Sequence, residues 1–308
     1  MKQKILVLGN ANMEILMESE RFPCAGEEIT DDGKVTVNPG ARGSNCAIAT
    51  ARLNAKTVLC TRVGDDGYGK RLARLYTESG VDLSYLQIDR ELRTGVEVTI
   101  TEAGQKSRVI NFIGANKNIS SRMIKDAFSC EPEAALVSTE LPHELVVSAA
   151  KEADFMAAPL ILNASVARAG EELSQIQPVE IFVAGASAVQ KYTGILPIGS
   201  ESCLRASLEL QRKIKASYYV IHIGEKGSFV YDGKYYHMIA PYAVKAVDDS
   251  GAGDVFVSAL TVEYVRNGHD IIAACKYANA AGALSVLKHG TAPSMPYHDD
   301  VMHFVARY

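Results

Sequence analysis

The stretch Lys4-Ile-Leu-Val-Leu8 sets the fold. Five residues with an uninterrupted apolar run read as a strand buried on both faces, and the loop Gly9-Asn-Ala-Asn-Met-Glu14 follows it directly. Working outward, Ser44–Leu53 has helical spacing and Lys56–Val63 is a second buried strand. Gly69–Ser79 sets Leu72, Leu75 and Tyr76 on one helical face before Gly80. Ala134–Ser138, Leu160–Asn163, Glu180–Val183 and Tyr218–Ile223 are further short strands, with helices expected between them, at Glu144–Ala153 and Cys203–Lys215 among others. Two helices, Ala252–Asn267 and Asp270–Lys288, close the last third. Strands alternating with helices imply a mostly parallel sheet flanked by helices, an α/β fold.

Two regions break that rhythm. Met13–Thr36 and Thr94–Ile113 alternate polar with apolar residues, with turn signals at Ala25-Gly26, Asp32-Gly33 and Ala103-Gly104. They predict a small antiparallel β lid, residues 12–36 and 94–113, over an α/β body of residues 1–11, 37–93 and 114–308.

Composition narrows the partners. The chain has 308 residues, 47% of them hydrophobic, and Lys+Arg 32 against Asp+Glu 36 gives a net charge of −4. No basic surplus exists to neutralise a nucleic-acid backbone. No apolar run reaches the roughly 18 residues of a membrane span, and Ile5–Leu8 is too short for a signal-peptide core, so a soluble cytoplasmic protein is expected. The six cysteines lie too far apart in sequence for a zinc knuckle or a redox pair and read as reduced thiols. Likewise, no pair of histidines has metal-ligand spacing.

Chemistry concentrates in Val247-Asp-Asp-Ser-Gly-Ala-Gly-Asp-Val-Phe256. Gly251, Ala252 and Gly253 open a helix, so their N–H groups form an anion hole suited to a phosphoryl group. Asp254, in the first turn, is placed to take a proton from an attacking hydroxyl. The same residues also read as a tight cap with an aspartate complementing the helix dipole. Asn38-Pro-Gly-Ala-Arg-Gly-Ser-Asn45 opens another helix and offers polar donors. It and the loop after Leu8 lie where α/β sheets bind ligands, at the carboxyl ends of strands. Ile223-Gly-Glu-Lys-Gly227 reads as a hairpin turn or as a seat for nucleotide phosphates, and Gly290-Thr-Ala-Pro-Ser294 as a cation loop or a helix end. Gly64-Asp-Asp-Gly-Tyr-Gly69-Lys70 has the spacing of a phosphate loop, but Arg71 replaces its Ser or Thr and two aspartates would repel phosphate.

In this order, from Lys4 to about Pro296, these motifs resemble the ribokinase (PfkB) family of carbohydrate kinases. Asn38–Asn45 is similar to its N-terminal glycine-rich signature, Gly64–Gly69 to its glycine-aspartate turn, Asp248–Asp254 to its D-T-T-G-A-G-D signature, and Gly290–Ser294 to its cation loop. Ile113-Gly-Ala-Asn116 and Thr139-Glu-Leu-Pro142 resemble ribokinase sequences too.

The resemblance implies ATP-dependent phosphorylation of a sugar hydroxyl. Asp254 would be the base, with Gly251, Ala252 and Gly253 around the phosphoryl group. Asn12, Glu14, Arg42, Gly43, Asn45 and Glu140 would contact the sugar. His222, Gly224, Lys226, Gly227 and Asn279 would contact the nucleotide, and Mg2+ would arrive with it. Asp248, Ser250, Ser285, Lys288, Gly290 and Ser294 would surround a monovalent cation, K+, and the lid would pair two subunits into a homodimer. A nucleoside kinase of the same family and a catalytically weakened sugar-binding or regulatory protein are the alternatives.

The chain also departs from the family pattern. Glu14 stands for an aspartate, Gly40-Ala-Arg-Gly43 for Gly-Gly-Lys-Gly, and Asp249 for a small residue. The family's N-x-x-E motif falls on Ala184 and Ser187, which carry neither amide nor carboxylate. Its loss is expected to weaken metal affinity and turnover unless another acid, such as Asp249, substitutes.

Overall fold

The structure, a computed structural model, describes residues 2–102, 108–168 and 171–308. The predicted turn at Ala103-Gly104 lies outside the described residues.

The body is a nine-stranded sheet in the order β13-β12-β11-β10-β9-β8-β1-β4-β5. In chain order its strands are β1 (Lys4–Leu8), β4 (Lys56–Gly64), β5 (Leu86–Asp89), β8 (Ala134–Ser138), β9 (Leu160–Asn163), β10 (Val179–Gly185), β11 (Ala216–His222), β12 (Ser228–Tyr231) and β13 (Tyr236–Ile239). All neighbours pair in parallel except β11·β12 and β12·β13, the antiparallel edge.

Alternation along the strands divides the core in two. Ile5 and Val7 face one cluster with Leu136, Ile161 and Val183, and Leu6 and Leu8 face the other with Val137, Leu162 and Phe182. The first cluster is closed by α1 (Arg42–Arg52), α2 (Gly67–Glu78), α7 (Ala252–Arg266) and α8 (Ile271–Ser285). The second is closed by α3 (Ser121–Phe128), α4 (His143–Phe155), α5 (Ala186–Thr193) and α6 (Ser200–Lys213). Two short helices, α9 (Thr291–Ser294) and α10 (His298–Val305), follow α8.

The lid is a separate four-stranded sheet in the order β3-β2-β6-β7, with β2 (Asn12–Ser19), β3 (Val35–Gly40), β6 (Gly95–Glu102) and β7 (Arg108–Phe112). Its outer pairs, β2·β3 and β6·β7, are antiparallel, and β2·β6 joins them in parallel. The ribbon expected over Met13–Thr36 covers only its ends. Residues 20–34 carry no strand, and Glu27 N–H to Cys24 O closes the turn at Ala25-Gly26. β3 runs to Gly40, so the lid sheet extends beyond the expected boundary at residue 36.

The apparent phosphate loop is an anchor for this lid. Asp66 caps α2 by accepting from Gly69 N–H at 2.8 Å, and also accepts from Thr94 N–H and Thr94 Oγ1, both at 2.8 Å. Its oxygens are committed to Thr94, the residue before β6.

Candidate active site

Strand order reverses its direction of growth at β1, which lies between β8 and β4. Loops leaving β1 and β8 therefore diverge and open a crevice at the carboxyl ends. Glu140, in the loop after β8, fills its floor. Its carboxylate accepts from the N–H groups of Asn10 (2.8 Å), Gly43 (2.8 Å) and Arg42 (3.0 Å), which ties the β1 loop to the start of α1. Burial pushes the Glu140 carboxyl up to about 7 against the pull of those three donors. Gly43 is needed at this junction, because a Cβ there would lie 2.4 Å from the Gly9 carbonyl carbon.

Asp254 rises from the first turn of α7 and is only 1% exposed. Gly251 precedes the helix at φ 76°, a left-handed conformation that brings the helix start close to the crevice. The Asp254 carboxylate accepts from Asn45 Nδ2 at 2.9 Å, Arg42 Nη1 at 3.4 Å and Asn163 Nδ2 at 3.5 Å. Of the three amides expected in the anion hole, Ala252 N–H is donated to the Asp249 carbonyl at 3.1 Å, leaving Gly251 and Gly253 as its amide donors.

Two cavities meet here. One of about 520 Å³ is lined by Glu14, Arg42, Asn45, Glu140, Gly251 and Asp254 among others, under the lid residues Glu97 and Asn111. The other, about 910 Å³, is lined by His222, Gly224, Lys226, Gly227, Gly253 and Asn279. Arg42 and Asp254 line both. The smaller cavity is polar and suits a polyhydroxylated molecule. The larger one borders the hairpin between β11 and β12 and suits a longer ligand with anionic and flat parts.

The expected residues are brought together with three qualifications. Asn12 is fully buried and is not on a cavity wall: it donates to Asn111 Oδ1 at 3.3 Å and accepts from Asn116 Nδ2 at 2.8 Å. Its amide thus holds Asn111 of the lid. Gly43 serves through its N–H and its missing Cβ, as above. Asn279 donates to the carbonyls of Ile239 and Ala240, so its amide braces the cavity wall.

His222 sits between two glycines. A Cβ on Gly185 would lie 2.7 Å from its ring, and one on Gly253 3.3 Å. Burial pushes the imidazole down to about 4, with Asp254 opposing and Arg42 adding to the shift.

The loops at residues 248–250 and 288–294 also meet. Asp248 accepts from Ser250 N–H and Gly290 N–H, both at 2.9 Å, and so pins residues 248–250 against the turn after α8. Ser285 and Ser294 donate their hydroxyls to the Gly282 and Thr291 carbonyls, and Lys288 lies in the turn that follows Ser285. Among the described residues no group of three His, Cys, Asp or Glu side chains is placed to hold a metal.

Sequence reading missed Glu97, Asn111, Asn163, Arg168 and Thr291. Asn163 carried a local signal as the last residue of a buried strand, and Thr291 lies inside the Gly290–Ser294 stretch. Ala184 and Ser187 are where expected: Ala184 is buried at the end of β10, and Ser187 lines the larger cavity in the first turn of α5.

Comparison with known proteins agrees with this geometry. The chain is 29% identical over 305 residues to a ribokinase of Bacillus subtilis, covering 97% of this chain and 98% of that one. It is 26% identical over 306 residues to a ribokinase of Staphylococcus aureus, covering 98% and 99%. The structure of Arabidopsis thaliana ribokinase complexed with ribose and ATP superposes with a TM-score of 0.87 at 25% identity, over 99% of both chains. The family model for pfkB family carbohydrate kinases matches residues 2–297. With a sheet, lid and paired cavities of this form and a match over nearly its whole length, the chain belongs to the pfkB family of carbohydrate kinases.

Proposed function

We propose that this kinase transfers the γ-phosphoryl group of ATP to a hydroxyl of a small sugar, ribose-like or modified. The observation that carries this reading is that Asp254 lines both cavities, so one carboxylate borders the acceptor and the donor together. The ribokinase relatives and the ribose- and ATP-bound Arabidopsis structure support the same assignment.

With sugar in the smaller cavity and ATP in the larger, Asp254 takes the proton of the attacking hydroxyl. The oxygen bonds to the γ-phosphorus as its bond to the β-phosphate oxygen breaks, and ADP leaves. Gly251 and Gly253 amides face the charge gathered on the transferring group, at the positive end of α7. Arg42, beside Asp254, is placed to hold that group from the sugar side. Asn45 and Asn163 fix the carboxylate's orientation.

Mg2+ would neutralise phosphate charge and would be held by the nucleotide itself together with Asp249, an exposed carboxylate on the wall of the larger cavity. A potassium ion between the loops at Asp248–Ser250 and Lys288–Ser294 would stiffen the start of α7. The lid presents Val109, Ile110 and Phe112 to solvent along its β7 edge, which suits pairing of two lids in a cytoplasmic homodimer.

A coupled ADP-release assay with Mg-ATP and K+ against pentoses, hexoses, sugar acids and nucleosides tests the reading. Turnover on one sugar that disappears in Asp254→Asn supports it. One observation favours a weakened sugar-binding protein instead: at the end of β10 and the start of α5, Ala184 and Ser187 carry neither the amide nor the carboxylate of the family pattern. Silence across the panel, with a sugar still raising the melting temperature, would establish that second reading.

A further inference from the structure

The smaller cavity holds two carboxylates, Glu14 and Glu97, that form no ion pair among the described residues. β2 and β6 run in parallel with Glu14 directly opposite Glu97. Neighbouring strands lie about 4.8 Å apart, so the two side chains leave the same face of the lid side by side. Both line the cavity. Among the described residues Glu14 accepts from Thr291 Oγ1, at 3.1 Å, and Glu97 from Asn111 Nδ2, at 3.4 Å, both neutral donors.

The cavity's two arginines are engaged elsewhere. Arg42 is bonded to Asp254, although its field reaches Glu97, and Arg168 donates to the carbonyls of Glu140 (2.6 Å) and Leu141 (2.9 Å). Among the described residues, neither Glu14 nor Glu97 forms an ion pair. A second observation points to a ligand rich in donors. Asn45 is only 6% exposed and lines this cavity, and its Oδ1 has no hydrogen-bond partner. A buried acceptor of this kind is costly unless a ligand satisfies it.

We propose that the sugar accepted here carries an amino group, and that its ammonium binds between Glu14 and Glu97. An ammonium supplies three N–H donors and a positive charge, so it can bond both carboxylates and remove their mutual repulsion. Burial and that repulsion already hold the Glu14 carboxyl above its ordinary range, and burial does the same for Glu97. This inference rests on the kinase reading for the identity of the cavity, and adds a substrate class: amino sugars and amino polyols.

The test is calorimetric binding without nucleotide, using matched pairs that differ by one amine for one hydroxyl: 2-amino-2-deoxyribose against ribose and glucosamine against glucose. The same compounds are then offered with Mg-ATP. At pH 7.5 an amine is expected to bind about 10- to 100-fold tighter than its hydroxyl partner, the range of charge-assisted hydrogen bonds. Glu97→Gln and, separately, Glu14→Gln should each shrink that ratio about tenfold, with melting curves confirming that the variants fold. Equal affinity within every pair overturns the proposal, as does a ratio that survives in both variants. ADP release on neutral sugars without amine preference refutes this inference and leaves the kinase standing. Amine-selective binding without ADP release on any sugar refutes the kinase and leaves the cation site.

Discussion

Asn45 Nδ2 lies 2.9 Å from Asp254 Oδ2 and joins the first turn of α1 to the first turn of α7. The two residues are 209 positions apart in sequence, and between them they set the direction in which the carboxylate faces the shared border of the cavities. Asp254→Asn keeps the shape and removes the proton acceptor. Turnover should fall by about a hundred- to ten-thousand-fold, as when a general base is lost, while sugar binding by calorimetry persists. Asn45→Ala should give a smaller loss. Undiminished turnover in Asp254→Asn would refute the assignment.

Glu140 argues for a structural contribution to the same site. Its carboxylate serves three backbone donors, whereas a glutamine offers one acceptor oxygen and an amide that repels N–H groups. Glu140→Gln should cost about 2–4 kcal/mol in urea unfolding, from buried donors left unpaired, and should weaken sugar binding as the start of α1 shifts. A variant as stable as the parent would show that water takes over these donors.

His222 predicts an acid sensitivity. Its folded value, about 4, lies below the ordinary 6.5, so between these pH values the unfolded chain binds the extra proton. The stability it contributes is complete above pH 6.5 and lost as pH falls to 4. Against His222→Asn, the parent should therefore lose stability faster over that window, and the two should run parallel above pH 7. Parallel curves throughout would mean that the imidazole titrates normally.

Asp249 stands on the wall of the larger cavity, where its backbone carbonyl anchors Ala252 N–H and its carboxylate is exposed. If it substitutes for the carboxylate absent at Ser187, Asp249→Asn should raise the Mg2+ concentration needed for half-maximal binding of an ATP analogue. The expected rise is about two- to fivefold, in keeping with an exposed charge. Coincident Mg2+ curves would refute the substitution.

Much of this architecture is legible locally. Ala134–Ser138 and Leu160–Asn163 are strands at the residues expected, since runs buried on both faces carry their signal in composition. The exposed edge strand β13 and the short helix α5 carry too few periodic residues to declare themselves. The parallel pairing of β2 with β6 joins segments about 80 residues apart, and no local pattern encodes it. The site divides in the same way. Asp254, Arg42 and Asn45 sit in glycine-rich helix starts that can be read directly. The hydrogen-bond partners of Asn12, Asn111 and Asn116, arrive from a different part of the chain, so no local pattern announces them. Glu97 and Thr291 likewise gain meaning only when the lid closes the cavity.

Ala41 shows where the chain carries strain. It precedes α1 at φ 67° and ψ 153°, a region that suits glycine, and it lines the smaller cavity. A side chain held there costs on the order of 1–3 kcal/mol, partly offset in Ala41→Gly by the extra freedom glycine has when unfolded, about 0.5–1 kcal/mol. Relief should exceed loss, so Ala41→Gly is expected to raise the thermal midpoint by about 1–3 °C. Its effect on catalysis follows from position. The N–H groups of Arg42 and Gly43, the next two residues, hold Glu140, so a looser Ala41 should weaken sugar affinity even as the fold gains stability. A lowered midpoint would mean that the surrounding hydrogen bonds, and not the side chain, impose this conformation at no cost.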